Sequence, residues 1–491
     1  MTQKLRLHPE VLLGLASTLG IILVHGTRVR EFFWTDEVIT ARAAYLGWIE
    51  LIFQRYWAGH SPLYYLILKL YALVLEAIGL TSPTEVLIRV PSVIATGLAG
   101  GYFASAAWRA WTPAAGVFFV PLWVINPIVG YYAVEARPFC LLLLALSLTV
   151  WSATRLHITG ANSNPRDKNI WLVSIISPIT AAASIPVGII AVLAVEISAL
   201  SALPPGASTF KRSWKKRTLL VISTVALIAV LFSPAIFAKA DDYWTNEFVP
   251  FSLGSIGTVL GVIALQHGPW LTHSSTIIAV TFGGLLVLGF FGLLNKHDAL
   301  GRMAAGLAII FPAIMIVLSS ITSLLVPRYF LPAIPGLNLL VVGFFEKSVL
   351  SWRSISVALL IVVASALVVI DGPYRARVFS AEIQQQIALL QELRLEELEG
   401  GTAYPHMMPA LDYYIQKKMH FAPVLKYLEQ RLAPEDIRKG HLYWVFDRKN
   451  GKGKALIGGL QIICHLALKN SDIYVVAANE VRPSFACSSD R

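Results

Sequence analysis

Long apolar stretches separated by short polar breaks dominate the chain. They fall near 10–27, 62–80, 88–107, 113–132, 138–155, 170–203, 218–238, 275–295, 303–326, 328–346 and 352–370. A helix needs roughly 20 apolar residues to cross the hydrocarbon core of a bilayer. Lipid offers no partner to backbone N–H and C=O groups, so a spanning segment must satisfy them internally. The 170–203 run is too long for one crossing, and Ser184-Ile185-Pro186 near its middle predicts a hinge, because proline lacks a donor and clashes with the preceding turn. The piece 253–265, with three glycines, reads as re-entrant or interfacial. After Asp371 the pattern changes. Residues 379–398 repeat with helical period through Ile383, Ile387 and Leu390, while 441–446 and 473–477 read as strands bounded by polar turns. The predicted fold is an all-α polytopic membrane protein of about 11–13 transmembrane helices. It occupies residues 1–371, with a small C-terminal α/β extramembrane domain in 372–491.

Composition agrees with a membrane chain. Of 491 residues, 56% are hydrophobic and 14% charged, against about 25% charged in soluble domains. The net charge of +11 is no nucleic-acid footprint, since the basic residues collect in short connections. Lys211, Arg212, Lys215, Lys216 and Arg217 form the densest group, read as a loop; Arg155, Arg166 and Lys168, Lys296 with Arg302, and Lys347 with Arg353 form others. Such connections stay cytoplasmic. With Lys4 and Arg6 also inside, Asp36-Glu37, the Glu135–Arg137 turn, Arg328 and the tail all fall outside. This holds only if 62–80 does not cross; Lys69 and Glu76 within it fit a helix lying in the interface, leaving eleven crossings. The expected location is a bacterial inner membrane, with the N-terminus cytoplasmic and the tail periplasmic or extracellular. Arg28, Arg30 and Glu31 follow the first apolar run where a cleavable signal would carry small residues, so no signal peptide is expected. Three cysteines exclude a disulfide framework, although Cys464 and Cys487 could pair in an oxidising compartment.

Four polar groupings map to the predicted outer face. Asp36-Glu37 lies in the first outer loop, 28–61, directly after an aromatic patch; the pair reads either as an interface anchor or as a catalytic base with a companion acid. His60-Ser61-Pro62-Leu63-Tyr64-Tyr65 reads as an aromatic belt, or as a histidine and tyrosines addressing a phosphate or sugar. Glu135-Ala136-Arg137-Pro138-Phe139 places a permanently charged guanidinium beside a carboxylate, a self-neutralised pair or a phosphate ligand. Pro327-Arg328-Tyr329-Phe330-Leu331-Pro332 opens another span with an arginine that either snorkels or meets an anion. Two outer arginines run against the inside bias, which an outer anion explains. No spacing typical of a metal site appears, and no cofactor is expected; Asp36, Glu37, Asp241 and Asp242 could together offer oxygen ligands to a divalent ion, the less favoured reading.

In this order and spacing the four groupings resemble the polyprenyl-phosphate-dependent membrane glycosyltransferases of the GT-C superfamily, nearest the protein O-mannosyltransferase group (glycosyltransferase family 39) and the lipid A aminoarabinose transferases. The resemblance covers about residues 10–346 and departs at Ser61, where many relatives carry a second proline, and at Phe139, often tyrosine. It implies a GT-C-like fold, a polyprenyl-phosphate-sugar donor, and transfer on the outer face to a lipid, glycan or protein acceptor. It further implies Asp36 as base on the acceptor hydroxyl, and His60, Arg137 and Arg328 as candidates for the donor phosphate. Tyr64, Tyr65, Glu135 and Tyr329 are further candidates for substrate contact.

The chemistry of the residues agrees. Glycosyl transfer needs a base at the attacking hydroxyl and positive charge where the leaving phosphate becomes more negative. Glu37 would orient the acceptor or pair with an arginine. Other readings are a ligase for a larger lipid-linked glycan, a transporter of a lipid-linked substrate, and a scaffold presenting the tail. A transporter places ionisable groups near the bilayer midplane, whereas here they gather at one face.

Overall fold

The computed structural model describes residues 8–30, 33, 35–80, 85–159, 165–203, 208–240, 251–252, 256, 298–320, 325–347, 398–402, 442–448, 461–467 and 471–477. The expected runs at 275–295 and 352–370, most of 253–265, the helical stretch 379–397, and Asp241-Asp242 lie outside them. The chain divides into two compact units, Met1–Arg30 with Ala43–Gly372, and Glu31–Arg42 with Pro373–Arg491.

The helices of the described chain are α1 (Pro9–His25), α2 (Thr35–Tyr45), α3 (Trp48–Trp57), α4 (Leu63–Ala77), α5 (Glu85–Ala110), α6 (Pro113–Val124), α7 (Pro127–Ala133), α8 (Phe139–Thr159), α9 (Pro165–Ser184), α10 (Val187–Ser201), α11 (Ser208–Ala240), α12 (Ala299–Ser319) and α13 (Ala333–Lys347). Five segments among the described residues are long and apolar enough to cross a membrane: Pro9–Arg30, Glu85–Ala110, Phe139–Thr159, Phe210–Pro234 and Ala299–Ser319. Helix α5 is central and packs against α1, α6 and α8; α8 packs on α9, α10 on α9 and α12, and α13 on α12 and α6. Glycine permits the closest crossing. A Cβ at Gly101 on α5 would come 2.3 Å from the Cα of Gly14 on α1, so only small residues let the two backbones approach. Phe103, Phe119 and Trp123, all fully buried, fill the space between α5 and α6.

Several element boundaries follow from local chemistry. The hinge is where the proline predicts it: α9 ends at Ser184 and α10 starts at Val187. The 113–132 run, expected as one element, is broken. Pro127 cannot continue α6, and the Asn126 side chain accepts from the backbone N–H groups of Ile128 and Val129, capping the new helix α7. The first outer loop is also not a loop. Gly26–Arg30 forms a 3-10 turn, and α2 and α3 follow. In α3, Ile49, Phe53 and Trp57 are exposed while Leu51 is buried, the pattern of a helix resting on an apolar medium. The basic group 211–217 lies on the first turns of α11, not in a connection. Lys211, Arg212, Lys215 and Lys216 face outward, but Arg217 turns in to a buried ion pair with Glu196 of α10.

Polar contacts sort to two ends of the bundle. At one, Arg109 Nη2 meets Glu10 Oε1 at 2.5 Å, Arg155 lies 3.9 Å from the same oxygen, and Trp111 Nε1 donates to Asp298 Oδ2 at 2.6 Å. At the other, His25 Nε2 donates to the Val124 carbonyl at 2.8 Å, and Arg89 Nη1 donates to the Val29 carbonyl at 3.0 Å. Tyr64 and Ser92 share a 3.1 Å hydrogen bond there, and Ser61 Oγ donates to the Ala183 carbonyl. Helix α4 therefore starts at this end, and α5 begins there again a few residues after α4 stops. Fifteen residues make about 22 Å of helix, less than the ~30 Å core. Within this helix Lys69 is held by the carbonyls of Ala44 and Leu46.

In the second unit the described tail residues form a four-stranded sheet: β1 (Leu398–Thr402), β2 (Leu442–Arg448), β3 (Gln461–Ala467) and β4 (Ser471–Ala477). Its order is β1-β2-β4-β3, with β1 parallel to β2 and the other pairs antiparallel. Strands β2 and β4 are the two read from sequence, paired without a break from Leu442↔Ala477 to Arg448↔Ser471. Leu398, expected to close a helix, instead opens β1, whose Gly400-Gly401 pair hides strand character from propensity.

Candidate functional site

One end of the first unit collects three of the four polar groupings singled out by sequence, those of His60, Glu135–Arg137 and Arg328. After α7, residues Val134–Pro138 turn the chain into α8, and both ionisable side chains of this turn, Glu135 and Arg137, are buried. The turn is tied back on itself: Arg137 N–H donates to the Glu135 carbonyl at 2.9 Å, and the Cys140 thiol donates to the Arg137 carbonyl at 3.1 Å. The Arg137 guanidinium sits 5.9 Å from the Phe139 ring centroid. A second turn carries Arg328. Val326 is extended, Pro327 starts a 3-10 turn, and Tyr329 N–H donates to the Val326 carbonyl at 2.9 Å. Arg328 lies 5.4 Å from the Tyr329 ring.

Tyr132, on α7 beyond the break at Asn126, joins the two turns. Its ring contacts Phe139 at 5.0 Å. Burial pushes its hydroxyl well above the usual phenol range; Glu135 pushes the same way, while Arg328 and Arg137 oppose it. Tyr132 thus stays a neutral hydroxyl within electrostatic reach of one carboxylate and two guanidinium groups. Sequence reading sees Tyr132 just ahead of Glu135 and Arg137 but gives it no role. Gly130 of α7 lies against the His25 ring, where a Cβ would come within 2.1 Å.

The His60 motif forms a neighbouring group. Gly59, at φ 71°, turns the chain out of α3. His60 packs 6.4 Å from the Tyr65 ring, Tyr65 lies edge-on to Tyr64 at 5.7 Å, and Arg55 covers the Tyr65 ring at 5.4 Å. The Tyr64 hydroxyl bonds Ser92, whose hydroxyl also reaches the Cys140 thiol, and Cys140 bonds the Arg137 carbonyl. A polar thread thus connects the second and third sequence groupings. Arg89, one turn before Ser92, and Arg28 are buried guanidinium groups that sequence reading left unassigned.

Asp36 and Glu37 sit in the first turn of α2, within the segment Glu31–Arg42 of the second unit. Acids there are favoured by the unsatisfied N–H groups of a helix start. Glu37 is buried, Asp36 partly exposed, and the Thr40 hydroxyl donates to the Asp36 carbonyl at 2.8 Å. Among the described residues no group of three His, Cys, Asp or Glu side chains could hold a metal ion. Cys487 lies outside them, so the proposed pair with Cys464 does too.

A cavity of about 230 Å³ opens between α8 and α9, lined by Leu141, Leu144, Leu148, Leu172, Ile176 and Thr180 among others. Its first lining residue, Leu141, stands in the first turn of α8, just after the Arg137 turn.

No protein-family model and no curated protein sequence matches the chain. Solved structures do. ArnT from Cupriavidus metallidurans in the apo state aligns with a TM-score of 0.57 at 13% identity, over 95% of this chain and 97% of that one. ArnT from the same organism bound to undecaprenyl phosphate aligns with a TM-score of 0.55 over the same shares, also at 13% identity. Identity this low speaks to architecture alone, and the architecture of this chain is that of ArnT.

Proposed function

We propose that the chain is a membrane glycosyltransferase that moves a sugar from a polyprenyl-phosphate donor to an acceptor hydroxyl. The observation that carries this reading is the gathering of Glu135, Arg137 and Arg328 around Tyr132 at one end of a bundle whose fold is shared with a protein solved with undecaprenyl phosphate bound. The two guanidinium groups would receive the donor phosphate. Arg137 is buried, so its charge acts through a medium that screens it weakly. Positive charge fixed before the reaction favours departure of the phosphate, where negative charge grows as the glycosidic bond breaks. Asp36 would take the acceptor proton as the new bond forms, with Glu37 orienting the acceptor. His60 would add a donor to the phosphate, and Tyr64, Tyr65 and Tyr329 would line the sugar. The cavity between α8 and α9, leading away from Arg137 into the apolar belt, would take part of the isoprenoid chain.

The site would face the periplasm of a bacterial inner membrane. Exposed Lys211, Arg212, Lys215 and Lys216 belong to the opposite side, as the bias of cytoplasmic connections toward positive charge requires. Residues 1–371 form the transferase part and 372–491 a periplasmic domain, with the acceptor base on the segment 28–61 between α1 and α4. Binding of undecaprenyl phosphate to the purified chain, followed by tryptophan fluorescence, tests the reading. Losing one charge-assisted contact costs about 1.5–3 kcal/mol, so Arg137→Ala and Arg328→Ala should each weaken binding roughly 10- to 100-fold. Wild-type affinity in both variants would refute the phosphate assignment.

A further inference from the structure

Helix α3 carries a cation that none of the roles above employs. Its Ile49, Ile52, Phe53 and Trp57 form the exposed apolar face, and Leu51 is fully buried on the other side. Arg55 follows Leu51 by four residues, so the two share a face of the helix. Its guanidinium turns inward rather than out to lipid and lies 5.4 Å from the centroid of the buried Tyr65 ring on α4. Arg55 is half-buried, and among the described residues its covered Nε has no hydrogen-bond partner. No carboxylate of those residues pairs with it either; Glu50, on the same helix, accepts from Gln54 Nε2 at 3.0 Å. The position is fixed from several sides. The Tyr56 hydroxyl donates to the Leu231 carbonyl at 2.7 Å, fastening α3 to α11. His60 N–H donates to the Arg55 carbonyl at 2.9 Å and closes the helix end. Tyr65 is held edge-on by Tyr64 at 5.7 Å.

We propose that Arg55, oriented by the face of Tyr65, forms an anion subsite for a phosphate carried on a lipid. A permanent charge drawn partly out of water without an ionic partner is unfavourable, and an anion supplied from outside the chain relieves it. The planar guanidinium presents paired donors to two phosphate oxygens, and the aromatic face beneath fixes its plane. The apolar face of α3 sets the helix at the boundary between hydrocarbon and water, the depth at which lipid phosphates lie. An isoprenoid carrier and a phospholipid head group offer the same chemistry there. The subsite does not rest on the transfer reading, since it is argued from α3 and α4 without Asp36, Arg137 or Arg328.

The test is thermal unfolding of the purified full chain in neutral detergent, titrated with undecaprenyl phosphate, undecaprenol or phosphatidylglycerol. Arg55→Gln removes the charge and should raise the half-saturating concentration of at least one of the two anionic lipids roughly ten-fold or more. Arg55→Lys keeps the charge but loses the fork; it should give a smaller rise and is the variant to follow if Arg55→Gln does not fold. Undecaprenol carries no anion, and any effect it has should be the same in wild type and variants. A loss confined to undecaprenyl phosphate assigns the subsite to the isoprenoid carrier, one confined to phosphatidylglycerol to a phospholipid head group, and a loss with both to lipid phosphates in general. A wild type that responds to neither anionic lipid, unchanged half-saturating concentrations in the Arg55 variants, or an equal loss with undecaprenol would overturn the proposal.

Discussion

Replacing Glu196 with glutamine should destabilise the bundle more than removing both members of its ion pair. The Arg217 and Glu196 side chains are 2% and 1% exposed. Arg217 donates to Glu196 Oε2 and to the Ser174 carbonyl, Thr218 Oγ1 adds a 3.2 Å bond to the same carboxylate oxygen, and the guanidinium stacks over Trp214 at 4.8 Å. Three helices, α9, α10 and α11, meet in this group. Glutamine keeps an acceptor for Arg217 and Thr218 but deletes the negative charge, leaving a cation in an apolar interior. Breaking a buried pair from one side costs about 3–5 kcal/mol; the retained acceptor places Glu196→Gln near ~3 kcal/mol. The double variant Glu196→Leu/Arg217→Met removes both charges together. Its remaining penalties are the Ser174 carbonyl left without this donor and the Thr218 hydroxyl left without this acceptor, together about 1–3 kcal/mol, offset by better apolar packing. The assay is thermal unfolding of the purified chain in detergent for wild type, Glu196→Leu, Arg217→Met and the double, read as a double-mutant cycle, with Glu196→Gln measured beside it. The expected coupling is at least ~2 kcal/mol in favour of the intact pair. Coupling near zero, or a double variant worse than the sum of the singles, would refute the reasoning.

Other consequences follow from the same contacts. Gly101→Val should lower the unfolding temperature and the yield of folded protein, because the nearest obstacle is the α1 backbone, 2.3 Å away, and overpacking costs about 1–3 kcal/mol; an unchanged transition would mean that α1 and α5 do not meet there. Asn126→Ala removes the cap that bonds Ile128 and Val129 N–H groups at 3.0 Å each and should cost about 1 kcal/mol. Since α7 carries Tyr132, undecaprenyl phosphate binding should weaken too, with Asn126→Asp restoring both; loss of stability with intact binding would detach the cap from the site. Arg328→Ala should raise the donor KM and spare the acceptor KM; the reverse pattern would move Arg328 to the acceptor side.

Much of the architecture was legible from hydropathy because lipid imposes one rule on every segment. The hinge at Ser184–Pro186 was visible because proline acts through its own backbone. The break at Asn126-Pro127 uses the same chemistry and was missed, since apolar residues on both sides masked it. Interface helices such as α3 were hidden because half their surface is polar. The Glu196–Arg217 pair could not be read: Glu196 sits alone in an apolar run, and Arg217 was one of five basic residues within 211–217, a cluster that reads as a cytoplasmic marker. At the candidate site, Glu135, Arg137 and Arg328 stood out because charges beside lipid are costly without a purpose. Tyr132, Ser92 and Cys140 carry no such signal, and their part emerges only once three helices bring them together.

The central claim, sugar transfer with Asp36 as base, is tested most directly by mass spectrometry of lipids, glycans and proteins from cells producing the wild-type chain or Asp36→Asn at equal membrane levels. The account predicts a glycosylated product present with the wild type and absent with the variant, while the polyprenyl-phosphate sugar accumulates. Identical profiles in the two strains would contradict it.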